Sequence, residues 1–223
     1  MQIIDSLHSI FDKQATNCKR CNSIYEISEK SKSATFNKLS ICKDNSLLGV
    51  IENNFYKGLS KITHERSSFL LDKDCDGAVF YEEEDTLVLL LVDLKSSFHE
   101  NEIFSAYKQD FFTFMKLHMM LSLCENYNPQ HLKIICYAAC PPCDKNSSDN
   151  IKDNLFMKEQ LEDERFIDKC LKAYLYTKKF SCTIRDIPFV ENKRLHENIL
   201  TIPVEFRIYT PEHKEDKEGV IRL

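Results

Sequence analysis

Apolar residues crowd the stretch from Thr86 to Lys95, Thr-Leu-Val-Leu-Leu-Leu-Val-Asp-Leu-Lys, at nearly every position until its last few. A segment apolar on both faces predicts the central strand of a covered sheet. Ser67 to Leu71 and Cys75 to Glu83, set off by acidic turns, predict two shorter strands before it. From Asn101 to Glu125, the residues Ile103, Phe104, Tyr107, Phe111, Phe112 and Met115 supply the buried stripe of a long amphipathic helix. His131 to Ala139 predicts a further buried strand. Upstream, Asn45 is placed to cap a helix carrying Leu47, Leu48, Val50, Ile51 and Phe55. Residues 45–140 thus read as helix, three strands, helix, strand: an α/β core with a central mixed sheet flanked by helices.

The flanks are less regular. Residues 1–44 form a polar, basic extension with a short helix at Gln2 to Asp12. Residues 141–223 form an addition packed on the core. Within it we expect a polar loop from Pro141 to Asn154, a helix from Leu155 to Lys178, strands at Phe180 to Val190 and Asn198 to Tyr209, and a polar tail from Thr210.

Composition narrows the function classes. The 223 residues are 43% hydrophobic and 29% charged, enough to bury a core. Only four glycines occur, which disfavours the glycine-rich loops that cradle nucleotide phosphates. The apolar run from Leu87 to Val92 is much too short to span a bilayer, and no basic region followed by an apolar core opens the chain, so the expectation is a cytoplasmic protein without a membrane segment. With no signal peptide, the ten cysteines read mostly as reduced, buried thiols. A net charge of −5 argues against a protein that coats nucleic acid. Locally the balance differs: Lys13, Lys19, Arg20, Lys30, Lys32, Lys38 and Lys43 face only Glu26 and Glu29, which makes either a solvated face or a nucleic-acid patch.

Asp93 and Lys95 stand two apart on the predicted central strand, so both side chains leave one face while Leu94 points into the opposite layer. A carboxylate and an ammonium side by side at a strand end suit phosphodiester chemistry: the carboxylate binds Mg²⁺, and the lysine positions the attacking water and offsets phosphate charge. A second carboxylate is needed to fix the ion, and Asp76, near the start of the preceding strand, is placed opposite the end that holds Asp93.

Asp76, a spacer and Asp93-Leu94-Lys95, in this order of elements, resemble the PD-(D/E)XK or restriction-endonuclease-like nucleases, over roughly Asn45 to Ala139. The resemblance implies a restriction-endonuclease-like αβββαβ core and a Mg²⁺- or Mn²⁺-dependent nuclease acting on nucleic acid, DNA first. It further implies a role in defence or repair, alone, as a homo-oligomer or with a protein partner. It also implies that Glu52, on the first core helix, is a further metal ligand and that Gln109, on the helix after the lysine, supports the site. Cys75 stands where the family's proline would precede Asp76.

Two other readings stay open. Asp72, Asp74, Asp76, Gly77 and Glu83 satisfy the spacing of an EF-hand calcium loop, which would make residues 72–83 the ion site of a non-catalytic calcium-binding or scaffold protein. Cys18-Lys-Arg-Cys21 and Cys140-Pro-Pro-Cys143 are two CxxC pairs whose four thiolates would hold a structural Zn²⁺ if the fold unites them, and are otherwise unpaired thiols. The seven histidines are scattered, with no HxxxH pair.

Overall fold

The computed structural model describes residues 2–11, 18–29, 35–52, 55–56, 74–160, 164–188, 195–213 and 215–223. The expected strand Ser67 to Leu71 and Asp72 lie outside them.

Two strands, β3 (Gly77–Glu83) and β4 (Thr86–Leu94), form an antiparallel hairpin closed at Glu84 and Asp85. Next to β4, β5 (Leu132–Ala139) runs parallel, so the chain must cross over between them, and α2 (Glu100–Leu121) makes the crossing. Beyond β5 lie β7 (Pro203–Tyr209), parallel to it, and β6 (Phe180–Thr183), antiparallel at the edge. On the other side of β3, β2 (Lys38–Ile51) pairs antiparallel with both β3 and β1 (Cys18–Ser28), while β8 (Glu218–Arg222) lies parallel to the first part of β2. The described residues thus build one mixed, eight-stranded sheet in the order β1-β2-β3-β4-β5-β7-β6, with β8 on β2. The fold is α/β, as the pattern predicted, but its sheet is larger than the core of six elements.

Two apolar clusters form on the sheet's two faces. Leu89 and Leu91 of β4 pack with α2, with α1 (Gln2–Ile10) and with α4 (Phe166–Tyr176), while Val88, Leu90, Val92 and Leu94 meet Leu39 and Ile41 of β2 and Ile221 of β8. Strands and loops alone supply the second cluster among the described residues, so the sheet's curled edge fills the face that the helices leave uncovered. Leu89, Leu90 and Leu91 are fully buried, and each contributes roughly 1.5–3 kcal/mol.

Three expectations are corrected. The segment Asn45 to Phe55 is not a helix: its residues up to Ile51 continue β2, and residues 18–44, expected as an extension, supply β1 and the rest of β2. The polar run Lys43-Asp-Asn-Ser lies inside β2 between two paired stretches, residues 38–42 and 47–51, which carry the strand across it. The register with β1 shifts across this run, from Asn22 paired with Leu47 to Ile24 paired with Cys42, so four residues of β2 bulge opposite Ser23, which takes φ 61°. The expected loop from Pro141 to Asn154 holds most of α3 (Lys145–Gln160), which buries only the narrow stripe of Ile151 and Leu155 and so shows little apolar period. The expected long helix to Lys178 is interrupted, and a new N-terminus forms where the Asp168 carboxylate accepts from the Arg165 N–H at 3.0 Å, opening α4. No helix among the described residues is long and apolar enough to cross a membrane.

The basic stretch resolves into ion pairs. Lys19 meets Glu52, Arg20 meets Asp5, Lys38 meets Glu26 and Glu218, and Lys43 meets Glu83. Lys13, Lys30 and Lys32 lie outside the described residues.

On the strand-only face, the Glu205 carboxylate is 8% exposed and gathers Lys133 at 2.7 Å, Lys179 at 3.4 Å and Arg207 at 2.5 Å. Burial pushes its pKa up, but the hydrogen bonds and charges of Lys133 and Arg207 outweigh that and pull it down to about 2. A depressed carboxylate stabilises the fold above its unfolded value and ceases to do so as pH falls from about 4.5 through about 2. The stability gap between wild type and Glu205→Gln, measured by urea unfolding, is therefore expected to be roughly 1.5–3 kcal/mol at pH 7 and to shrink steadily below pH 4.5. A gap that stays constant between pH 7 and pH 3 would contradict this.

Candidate functional site

The β3–β4 register ends with Gly77 paired to Val92, so Asp76, in the turn just before β3, lies beside the end of β4 that carries Asp93. The Asp76 N–H donates to the Val92 carbonyl at 2.9 Å, and the Asp76 Oδ2 accepts from the Leu94 N–H at 2.8 Å. Asp76, just before β3, and Asp93, on β4, are therefore neighbours at one end of the hairpin, Asp93 on the side of Leu89 and Leu91 that α2 covers. Gly77 permits this start to β3, because a Cβ there would lie 2.4 Å from the Ile27 Cδ1.

Asp93 is 2% exposed. Its Oδ2 lies 3.0 Å from the Lys95 Nζ, an ion pair, and has no further hydrogen-bond partner among the described residues. Lys95 also donates to the Gln109 Oε1 at 2.6 Å, and the Gln109 Nε2 donates to the Asp74 carbonyl at 3.3 Å. Burial pushes the Asp93 carboxyl well above the usual range, the neighbouring Asp76 carboxylate adds to that, and Lys95 opposes both.

Helix α2 holds the turn that carries Asp76. Gln109, Thr113 and Lys116 recur at i, i+4 and i+7, one face of a helix. Gln109 takes the Asp74 carbonyl as described. The Thr113 Oγ1 accepts from the Cys75 N–H at 2.9 Å, and Lys116 pairs with the Asp74 carboxylate, its side chain 1% exposed against 5% for Asp74. Local sequence stabilises the start of this helix. The His99 side chain caps its first turn, accepting from the Asn101 N–H, and Glu100 and Glu102 sit at its positive end.

One more acid belongs here. Asp110 falls on the stripe of Ile103, Ala106, Tyr107, Phe114 and Leu117, all 0% exposed, and is itself 0% exposed, with no hydrogen-bond partner for either oxygen among the described residues. Burial raises its pKa well above the usual range, then the charge of Asp93, with Lys95 opposing. An acid at the centre of an apolar helix stripe is a signal that the sequence carries openly, and motif spacing alone passes over it.

Of the residues singled out from the sequence, the fold unites Asp76, Asp93, Lys95 and Gln109. Glu52 is elsewhere: it follows β2 rather than lying on a helix, and its carboxylate pairs with Lys19 at 2.8 Å. The calcium loop does not close. Residues 77–83 are a strand, which separates Asp76 from Glu83 by about 20 Å, and Glu83 turns to Lys43 while Asp74 turns to Lys116. The CxxC pairs do not make a zinc site either. Cys18 and Cys21 lie an odd number of positions apart on β1, so Cys18 joins the helix-side cluster and Cys21 packs against the other. None of the four is in a disulfide among the described residues, and burial pushes Cys140 up to about 12.

Among the described residues, no three His, Cys, Asp or Glu side chains converge on one ion position. The donor set nonetheless suits a hard divalent cation. It offers the neighbouring carboxylates of Asp76 and Asp93, with the Asp93 Oδ2 lacking a further hydrogen-bond partner among the described residues, and Mg²⁺ binds through one or two carboxylates while keeping several waters. No protein-family model, curated protein or solved structure matches the chain.

Proposed function

We propose that the chain is a divalent-metal-dependent nuclease with a restriction-endonuclease-like core, built from β3, β4, α2 and β5 within the larger sheet. The observation that carries this reading is that Asp76, tied to the Leu94 N–H, neighbours Asp93 at the end of β4, with Lys95 two residues on and held by Gln109. An incidental pair of surface charges at a strand end would not be buried, cross-linked to the next strand's backbone and braced by a helix.

Asp76 and Asp93 would hold Mg²⁺ or Mn²⁺. When bound, the cation would polarise the phosphoryl group and lower the pKa of a coordinated water. Lys95 has three donors, of which Gln109 takes one, leaving the ammonium able to orient a water or a phosphate oxygen. Gln109 links the orientation of the lysine to the turn before Asp76, so the two halves of the site move as one. DNA is the substrate class that the resemblance suggests, and a protein partner or a second copy would supply the cationic surface that the described ion-paired lysines do not.

The test is incubation of the purified chain with supercoiled plasmid and with single- and double-stranded oligonucleotides, in Mg²⁺ or Mn²⁺ and in EDTA. Cation-dependent nicking or degradation is expected. Activity that persists in both Asp93→Ala and Lys95→Ala would sink the proposal.

A further inference from the structure

The acids at the site outnumber its cations. Asp74 and Lys116 cancel as a buried pair, but Asp76, Asp93 and Asp110 act on one another with only the Lys95 ammonium among them. Three acids thus share one ammonium, and a divalent cation is the partner that would favour their ionised forms together. Both buried oxygens of Asp110 have no hydrogen-bond partner among the described residues, and the Oδ2 of Asp93 has none beyond its ion pair with Lys95. A buried carboxylate with no donor is costly unless something offsets it. An apolar residue at position 110 would complete the stripe of α2, so packing gives no reason for an acid there.

We propose that Asp110 is the third acid of the cation site, accepting hydrogen bonds from water bound to the divalent ion that Asp76 and Asp93 hold. The inference rests on the cation reading of those two residues. Direct ligation by all three is not what the geometry offers, since no three such side chains among the described residues converge on one position. An ion that keeps several waters can still be reached through one of them. Outer carboxylates of this kind orient the inner ligands and raise affinity, typically 10- to 100-fold.

The experiment is calorimetric titration of Mn²⁺ into the full chain without nucleic acid, for wild type, Asp110→Asn and Asp110→Leu. One ion per wild-type chain is expected, with affinity about 10- to 100-fold weaker in both variants. Melting temperatures add a second readout: without metal, Asp110→Leu is expected to exceed wild type, and saturating Mn²⁺ should narrow or reverse the difference, because the cation stabilises wild type more. Affinities within twofold of wild type in the variants would overturn the role of Asp110, and Asp110→Leu, which leaves no buried amide to satisfy, decides the matter if Asp110→Asn does not fold. A wild type that binds no Mn²⁺ would overturn this inference together with the cation reading. Mn²⁺ bound with the predicted loss in the variants, but with nucleic acid left intact, would support Asp110 and sink the nuclease reading alone.

Discussion

Asp93→Ala is expected to lower cation-dependent cleavage by a factor on the order of 10³, about 4 kcal/mol of transition-state stabilisation, with little effect on the stability of the cation-free fold. The two effects part because Asp93 is a poor structural residue. It is 2% exposed, neighbours the Asp76 carboxylate, and has one oxygen lacking a hydrogen-bond partner beyond the Lys95 ion pair among the described residues. Removing it takes a buried acid away from Asp76, and Lys95, though it loses this ion pair, keeps its bond to Gln109, so the fold loses little even as the ligand goes. Lys95→Ala should show a similar loss of cleavage with Mn²⁺ binding retained, since the ammonium is no ligand. Parallel measurement of single-turnover cleavage, Mn²⁺ affinity and urea unfolding checks all three. An Asp93→Ala chain that loses activity only because it has become several kcal/mol less stable would show that the residue is structural.

Lys116→Met should have the largest effect on stability, about 3–5 kcal/mol, because it takes the ammonium away from a carboxylate that remains buried. The Asp74 side chain is 5% exposed, and the Lys116 pairing, with the bonds from Gln109 and Thr113, pins the turn entering β3 to α2. Adding Asp74→Leu to Lys116→Met is expected to recover most of the loss, since replacing both partners by apolar groups leaves no orphaned charge. Urea unfolding of both single variants and the double variant makes the cycle. Additive losses, with no recovery in the double, would mean that the pair does not act as a unit. Cleavage should fall in Lys116→Met even where the chain is folded, because the turn carries Asp76.

Several elements of this architecture are legible in the chain. β4 is plain because every position from Leu87 to Val92 is apolar, and a strand covered on both faces accommodates such a run. α2 is plain from its stripe, and Asp93 and Lys95 from their spacing of two on a strand. β2 is hidden. Its middle, Lys43 to Ser46, carries the polar residues of a turn, and the apolar residues after it suit a helix about as well as a strand. The pairing of Gly49 to Ile51 with Ala78 to Phe80 settles the matter, and those partners lie about thirty residues away. The misassigned helix in turn puts Glu52 in a family role that the fold does not give it.

The calcium-loop spacing fits as a string of residues, and it fails because β3 begins at Gly77 and runs straight through it. Spacing in sequence becomes spacing in space only once the backbone conformation is known: twelve residues close round an ion in a loop, but extend too far when half of them are a strand. The cysteine pairs fail for a related reason, since an odd separation on a strand sends Cys18 and Cys21 to opposite faces.

Local sequence is thus enough for the hairpin of β3 and β4, the amphipathic crossing of α2, and the placing of Asp76, Asp93 and Lys95 at one end of two neighbouring strands. These follow from periodicity and short connections, which a chain carries within a few residues. Long-range packing is what joins eight strands in one sheet, sets Gln109, Thr113 and Lys116 as braces on the turn before Asp76, and drives Asp110 into the same buried space. Those outcomes depend on which distant surfaces exclude water together. A carboxylate's surroundings, unlike its spacing, exist only after the helix has closed over the sheet.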